Sequence, residues 1–472
     1  MPTEPVLPPR RPRTRLIGGI VAVVAAAVVG LVALRPGGGM PAASPAASIR
    51  AAAGSGAASG TSSTAGQGPL PGSVAVVGSD GALSLVHASG EVSVLSGEAG
   101  FQFGFPTWSP DGTRVASVRA TSGETAIVVF DAVTGAGAAS PTIIYRSSAV
   151  APFYLSWSPD SRSVSFLASE SDGLSLRVAP ADGSAPLDGS GPGTVLRRGA
   201  PLYFDWIRPD RLLIHVGLGA DAVLGEVGLD AAPPASPIAD SGDFRSAIVS
   251  HDRNYLSYVR ATGDGPGEVV VAARDGSAEH TAPASGPTAV LFSPVDDVVA
   301  VIGGEMTDAV SAAFPFGPLR LIDARSGAIR PLLDGTVVAG FWSPDGSTIA
   351  AIRLQDVGGP TADRGGIVLA ADVQSPSPSP RPSATEVRLL FVDVASGDIR
   401  SERVVRLGSR FVNELLPYFD QYALSHRLWA PDGSAIVLPL VDDTGRTSLA
   451  VLPPDGSDAP RTIDGEIGFW SP

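Results

Sequence analysis

One short pattern recurs down the chain and leaves few folds open to it. Its clear copies read TWSPDGTRVASV around Trp108, SWSPDSRSVSFL around Trp157, FWSPDGSTIAAI around Trp342 and LWAPDGSAIVLP around Trp429. Three weaker copies, DWIRPDRLLIHV, IVSHDRNYLSYV and LFSPVDDVVAVI, put Trp206, Val249 and Phe292 in the aromatic slot, and Trp470 begins one more. Successive slots lie 41 to 50 residues apart, except for one interval of 87 between Trp342 and Trp429. A fixed period of this size is the signature of a repeated supersecondary unit.

The chemistry of the pattern is that of a hairpin. Pro sets φ for the first corner of a tight turn, Asp suits the second, and Gly closes it. The residues after the turn, such as Val115 to Val118 and Val298 to Ile302, read as a buried strand. A second strand follows (AIVVFD, LSLRVAP, EVVVAARD, LRLIDA, RLLFVDV), then a second turn ending in Gly, as in ASG at 395–397 and PDG at 454–456. One more strand precedes the next aromatic slot. Each unit is therefore four short antiparallel strands, here a, b, c and d in chain order, with the aromatic residue on a. Four-stranded units of this length read as β-propeller blades. The 56 Gly and 43 Pro, against 6% aromatic residues, fit many short strands joined by turns.

With the W-S-P-D-G turn as its hallmark, the region 73–472 resembles the WD40-like (PD40) repeat of the TolB-type propeller family. The resemblance implies an all-β propeller, and no activity, because many proteins with different roles share this repeat. Eight aromatic slots imply eight blades. The stretch 73–97 supplies strands b, c and d with no strand a, while IGFWSP at the C-terminus supplies a strand a with nothing after it. Together they make one blade, so the N- and C-terminal strands are expected to close the ring and hide the edges of an open sheet. The chain is thus expected to resemble a membrane-anchored bacterial member of that family.

The N-terminus supplies the anchor. Residues 1–15 form a short basic tail with Arg10, Arg11, Arg13 and Arg15, and Leu16 to Leu34 carry no charge. A helix over 16–34 would be about long enough to span a bilayer core. The positive-inside rule places the tail in the cytoplasm and the rest outside. Cleavage in MPAASPAAS would instead release the body as a secreted protein. Residues 35–72, rich in Ala, Gly, Ser and Pro, read as a flexible linker.

Three blades carry extra residues, expected at 303–318, 355–386 and 408–427. The first two lie between strands b and c, the third between d and a. Antiparallel alternation places b–c and d–a connections on one face of the disc and the a–b and c–d turns on the other. The segment SRFVNELLPYFDQYALSHR (409–427) sets Phe411, Leu415, Phe419 and Tyr422 near helical spacing, interrupted by Pro417. Two readings follow. The segment caps the channel mouth and offers Tyr418, Phe419, Tyr422 and Arg427 to a ligand, or its aromatic residues pack it onto the blades.

Composition narrows the chemistry. No Cys occurs, which removes disulfides, thiol nucleophiles and Cys-held metals, and His87, His215, His251, His280 and His426 stand far apart in sequence. No metal site and no cofactor is expected. The formal net charge of −14 repels phosphate backbones and argues against nucleic acid. No GxSxG, Walker or dinucleotide motif is present, and Asp420, Ser425 and His426 do not read as a triad. The expected role is a membrane-tethered, extracytoplasmic, non-catalytic binding or scaffold module for an envelope protein or cell-wall polymer. The alternative is a propeller hydrolase or lyase acting on an extracellular carbohydrate or ester.

Overall fold

The computed structural model describes residues 69–97, 100–132, 140–171, 173–184, 193–217, 222–231, 247–260, 267–284, 286–303, 315–354, 385–457 and 461–472. The expected basic tail, the helix at 16–34 and most of the expected linker lie outside them, as do 304–314 and 355–384 of the two b–c insertions. No helix among the described residues is long and apolar enough to cross a membrane.

The described chain is almost entirely short strands. β1 (Val74–Val77), β2 (Leu83–Val86) and β3 (Val92–Ser96) come first. Then follow β4 (Gln102–Trp108), β5 (Arg114–Ala120), β6 (Thr125–Asp131) and β7 (Thr142–Ser147), and β8 (Ala151–Trp157), β9 (Ser163–Glu170), β10 (Gly173–Pro180) and β11 (Thr194–Arg198). β12 (Leu202–Arg208), β13 (Arg211–Val216) and β14 (Val223–Gly228) make a three-stranded sheet, and β15 (Ile248–Val249), β16 (Tyr255–Arg260), β17 (Gly267–Ala273) and β18 (Glu279–Ala284) a four-stranded one. The next strands are β19 (Thr288–Phe292), β20 (Val298–Gly303), β21 (Gly317–Asp323), β22 (Ile329–Trp342), β23 (Thr348–Leu354), β24 (Thr385–Asp393) and β25 (Ile399–Leu407). β26 (Ile436–Val441), β27 (Thr447–Leu452), β28 (Arg461–Ile463) and β29 (Ile467–Trp470) complete the chain. β22 pairs with β21 through its first half and with β23 through its second, so one strand is outermost in one blade and innermost in the next.

The two ends of the chain meet in one sheet of order β29-β1-β2-β3. Val74 lies opposite Trp470 and Val77 opposite Ile467. The linker expected to run to Gly72 stops short of it. Leu70 is buried against Val74 and Trp470, and its N–H donates to Ala88 O at 2.7 Å. A buried leucine contributes about 1.5–3 kcal/mol, enough to hold these last linker residues on the ring.

Burial follows strand position. Inner strands carry neighbouring sheets on both faces, so Val74–Val77 and Thr125–Phe130 are buried without alternation. Outer strands alternate, and Val92 and Val94 on β3 are each 52% exposed. The turns repeat to the ångström. In four of them a Ser hydroxyl donates to the Asp two residues on at 2.6 Å: Ser109 to Asp111, Ser158 to Asp160, Ser250 to Asp252 and Ser343 to Asp345. Gly112 and Gly346 close their turns at φ +70° and +69°. Ser161 and Arg253 hold the same slot at φ +62° and +68°, where a side chain costs about 1 kcal/mol. Each uses its side chain to reach the preceding blade: Ser161 Oγ accepts from Asp111 N–H, and Arg253 Nε donates to Ile207 O.

A belt of indole hydrogen bonds links blade to blade. Trp108 Nε1 donates to Phe469 O, Trp157 to Thr107 O, Trp342 to Leu291 O and Trp429 to Phe341 O, at 2.9–3.2 Å. In each case the acceptor is the residue just before the aromatic slot of the previous blade. Trp206 reaches the same place by relay, donating to Ser165 Oγ, which donates to Ser156 O. Val249 and Phe292 have no indole. At Val249 the link runs backwards, its own N–H donating to Asp205 Oδ2 at 3.3 Å.

Candidate functional site at the axis

The 408–427 segment is a plug. Arg410 and Glu414 form a one-turn ion pair at 3.0 Å, and the backbone passes through a π-type turn at Phe411–Leu415 and a 3-10 turn at Leu416–Tyr418. Pro417, with no N–H to give, sits at the start of that 3-10 turn, and a single helical turn, α1 (Phe419–Tyr422), follows. Arg410 donates to Phe103 O near the start of β4, and Ser425 O accepts from Thr107 Oγ1 near its end. Four residues of strand separate those contacts, about 13 Å. The plug therefore follows the inner strands from the insertion-bearing face towards the a–b turns.

Its apolar residues are core. Phe411, Leu415, Phe419 and Tyr422 are at most 6% exposed. Phe419 meets Phe341 edge-on at 5.9 Å. Tyr422 stacks on Phe105 at 5.7 Å and meets Tyr154 edge-on at 5.3 Å. Register shifts in β4 and β8 turn these two strand residues inward, and both hold left-handed backbone, φ +53° at Phe105 and +46° at Tyr154. Bulky residues there cost about 1–3 kcal/mol each, offset by the ring contacts they gain.

This corrects the expectation that Phe419 and Tyr422 face a ligand. Their rings lie where water is excluded, and packing holds them there. Tyr418 is half-buried and Arg427 exposed. Arg427 comes from the end of the plug, where its carbonyl accepts from Trp470 N–H at 2.8 Å. Although the residue as a whole is exposed, the protein packed around it lowers its guanidinium pKa, and it makes no ion pair among the described residues. The aromatic residues at 103, 105, 154, 203 and 204 are buried in inner strands.

Around the plug sits a polar cluster that no sequence motif announces. Tyr154 Oη donates to Gln421 O at 2.8 Å and accepts from Gln421 Nε2 at 2.6 Å, with the Ser425 hydroxyl also bonded to it. Gln421 Nε2 further donates to Phe204 O at 2.8 Å. Burial raises the Tyr154 phenol pKa, and the nearby carboxylates of Asp205 and Asp420 push it the same way. Asp205 keeps partial solvent contact although it lies deep among the sheets. Desolvation lifts its pKa to about 6, against the pull of the Val249 N–H and of Arg253. Asp420 is 1% exposed, and neither carboxylate oxygen has a hydrogen-bond partner among the described residues. The missed signal was the position before the aromatic slot. It reads Phe469, Thr107, Ser156, Asp205, Ile248, Leu291, Phe341 and Leu428, with one carboxylate among small or apolar residues.

Asp420, Ser425 and His426 do not form a triad. Ser425 Oγ lies 2.7 Å from His426 Nδ1, but among the described residues no carboxylate is bonded to His426 and both Asp420 oxygens lack hydrogen-bond partners. Burial drives the His426 pKa down to about 3, so its imidazole is neutral. A base at Ser425 needs a carboxylate behind the imidazole, and none is bonded there.

No protein-family model matches the chain, and no curated protein is similar to it at the level of sequence. Among solved structures, a eukaryotic initiation factor is similar at 12% identity and TM-score 0.48, over 85% of this chain and 98% of that one. Dihydro-heme d1 dehydrogenase NirN in complex with DHE is similar at 15% identity and TM-score 0.49, over 85% and 75%. TolB from Acinetobacter baumannii is similar at 14% identity and TM-score 0.35, over 86% and 68%. What this chain has in its own right is a succession of antiparallel, mostly four-stranded sheets bound end to end through β1 and β29, and that makes it an all-β protein of the propeller type.

Proposed function

We propose that the chain is an eight-bladed, membrane-tethered, extracytoplasmic propeller of the TolB-like PD40 kind, held by the N-terminal helix at 16–34. It acts as a non-catalytic binding or scaffold module, and its ligand is an envelope protein or a cell-wall polymer. The observation that carries this reading is the plug. The axis is filled by the chain's own residues, and Tyr154, Gln421 and Ser425 spend their hydrogen bonds on one another and on backbone rather than on an open cleft. Recognition then falls to the face that bears the b–c and d–a connections, since binding residues concentrate in loops on a rigid scaffold. Two concavities open beside those connections. One, of about 570 Å³, is lined by residues including Arg197, Arg198, Gly199, Val216 and Val223; the other, of about 480 Å³, by residues including Glu386, Arg406, Leu440 and Asp443. Tyr418 and Arg427 remain the candidate binding groups of the plug itself.

One observation favours the second reading, a hydrolase or lyase acting on an extracellular carbohydrate or ester. Asp205 titrates near pH 6 beside the Tyr154 phenol, as a general acid or base working near neutrality would. The discriminating experiment uses the full-length protein in its own membranes, with a photo-crosslinker at Ser122 or Asp443 on the insertion-bearing face, or at Asp160 or Asp432 on the a–b turns. The binding reading expects one defined envelope protein or polymer captured from the first pair, with Asp205→Asn leaving capture intact. Capture from the turns alone, or turnover of a glycan or ester lost in Asp205→Asn, refutes it.

A further inference from the structure

The indole belt has gaps at two slots: Trp470, whose Nε1 has no partner among the described residues, and Phe292. An indole at position 292 would donate to Ile248 O, but Phe292 has none to offer. At this junction the two a–b turns approach each other with a different set of groups. His251 takes the place of the turn proline and is followed by Asp252, while Asp297 ends the turn after Phe292. A nitrogen of His251 and one oxygen each of Asp252 and Asp297 lie within 4.8 Å of one another.

Asp297 is the group that needs an explanation. Its side chain is 5% exposed. Arg325 grips one oxygen, Oδ2, with Nε at 2.9 Å and Nη2 at 2.7 Å. The other, Oδ1, is buried, has no hydrogen-bond partner among the described residues, and faces His251 Nδ1 at 4.0 Å. That distance is too long for a hydrogen bond. Two ligand atoms bonded to one tetrahedral ion at about 2.0–2.2 Å stand about 3.4 Å apart, so an ion would draw the partly exposed His251 side chain inward by about half an ångström. The Asp252 carboxylate is held in place by its own turn. Its Oδ1 accepts from Ser250 Oγ at 2.6 Å and Asn254 N at 2.9 Å, and its Oδ2 accepts from Asn254 Nδ2. Carboxylates fixed by outer hydrogen bonds in this way are ordered for ligation.

We propose that His251, Asp252 and Asp297 form a divalent transition-metal site, with Zn²⁺ as the fitting ion, that joins the two blades where the indole link is missing. One imidazole nitrogen and two carboxylate oxygens suit Zn²⁺, whereas Ca²⁺ and Mg²⁺ favour oxygen alone. Water completes the coordination, because His251 and Asp252 lie at the surface. The site is a strut between turns, independent of the axis and of the ligand proposed above.

The test uses the full-length protein, stripped with chelator and titrated with Zn²⁺ by calorimetry, with thermal unfolding followed in parallel. The wild type is expected to bind one ion per chain and to unfold at a higher temperature when saturated. In His251→Ala, whose side chain is partly exposed and does not carry the fold, affinity is expected to fall at least tenfold and the thermal shift to vanish. Asp297→Asn is expected to do the same. Stoichiometry below one in the wild type, or binding undiminished in His251→Ala, overturns the proposal. The latter would assign the ion to another histidine.

Discussion

Replacing Tyr422 by Ala removes the ring on which the plug turns. Tyr422 is 6% exposed and contacts Phe105, Tyr154 and, at 5.1 Å, His426. Deleting a buried aromatic side chain costs about 3–5 kcal/mol, of which each ring pair accounts for about 0.5–1.5. The two strained backbones at Phe105 and Tyr154 would remain, with the contact that offsets their strain gone. We therefore expect Tyr422→Ala to lower stability by about 4 kcal/mol, and Tyr422→Phe, which keeps the ring, by less than about 1. The assay is urea unfolding of the full-length protein followed by tryptophan fluorescence. The control is Leu424→Ala, two residues away and 39% exposed, expected to cost about 0.5 kcal/mol or less. If Tyr422→Ala moves the midpoint no further than Leu424→Ala, the segment is a docked flap and not part of the core.

The belt predicts a contrast between two tryptophans. Trp429→Phe loses the bond to Phe341 O and should cost about 1–3 kcal/mol, whereas Trp470→Phe should cost less, because Trp470 Nε1 is buried without a partner among the described residues; equal losses in thermal unfolding would refute the belt. Two axial groups should oppose each other with pH. His426, folded pKa about 3 against 6.5 unfolded, withdraws stability as pH falls from 6.5 towards 3, because only the unfolded chain takes up the proton. Asp205, folded pKa about 6 against 3.8, adds stability as pH falls through 6 and loses it as pH rises through 6. Asp205→Asn should therefore stabilise the protein at pH 8 by up to about 3 kcal/mol, at about 1.4 kcal/mol per pKa unit, and steepen its acid loss between pH 6 and 4. An unchanged acid limb in urea titrations at several pH values would refute the assignment.

The fold was legible because its rules are local. Ser109-Pro110-Asp111-Gly112 makes its turn from its own atoms, with Ser109 Oγ on Asp111 and Gly112 at positive φ, so the letters alone announce the hairpin. The same holds for the unbroken apolar run at 126–130, which reads as a strand buried on both faces. The plug was half legible. The spacing of Phe411, Leu415, Phe419 and Tyr422 showed an apolar stripe, but a stripe does not say whether it covers a rim or fills an axis. Asp205 was illegible by motif, since its importance lies in having Val249 as its neighbour in the next blade.

By itself the sequence determined the repeated hairpin, the four-stranded unit and the pairing of Val74–Val77 with Ile467–Trp470, because each follows from turn chemistry and from edges that must be covered. Only the tertiary structure decided that 408–427 runs down the axis, that Phe419 and Tyr422 are core, and that His251 and Asp252 stand opposite Asp297. Those outcomes depend on which blades become neighbours and how wide a space they enclose. That is set by the sum of many packing contacts between residues far apart in the chain, and no short stretch of the sequence carries it.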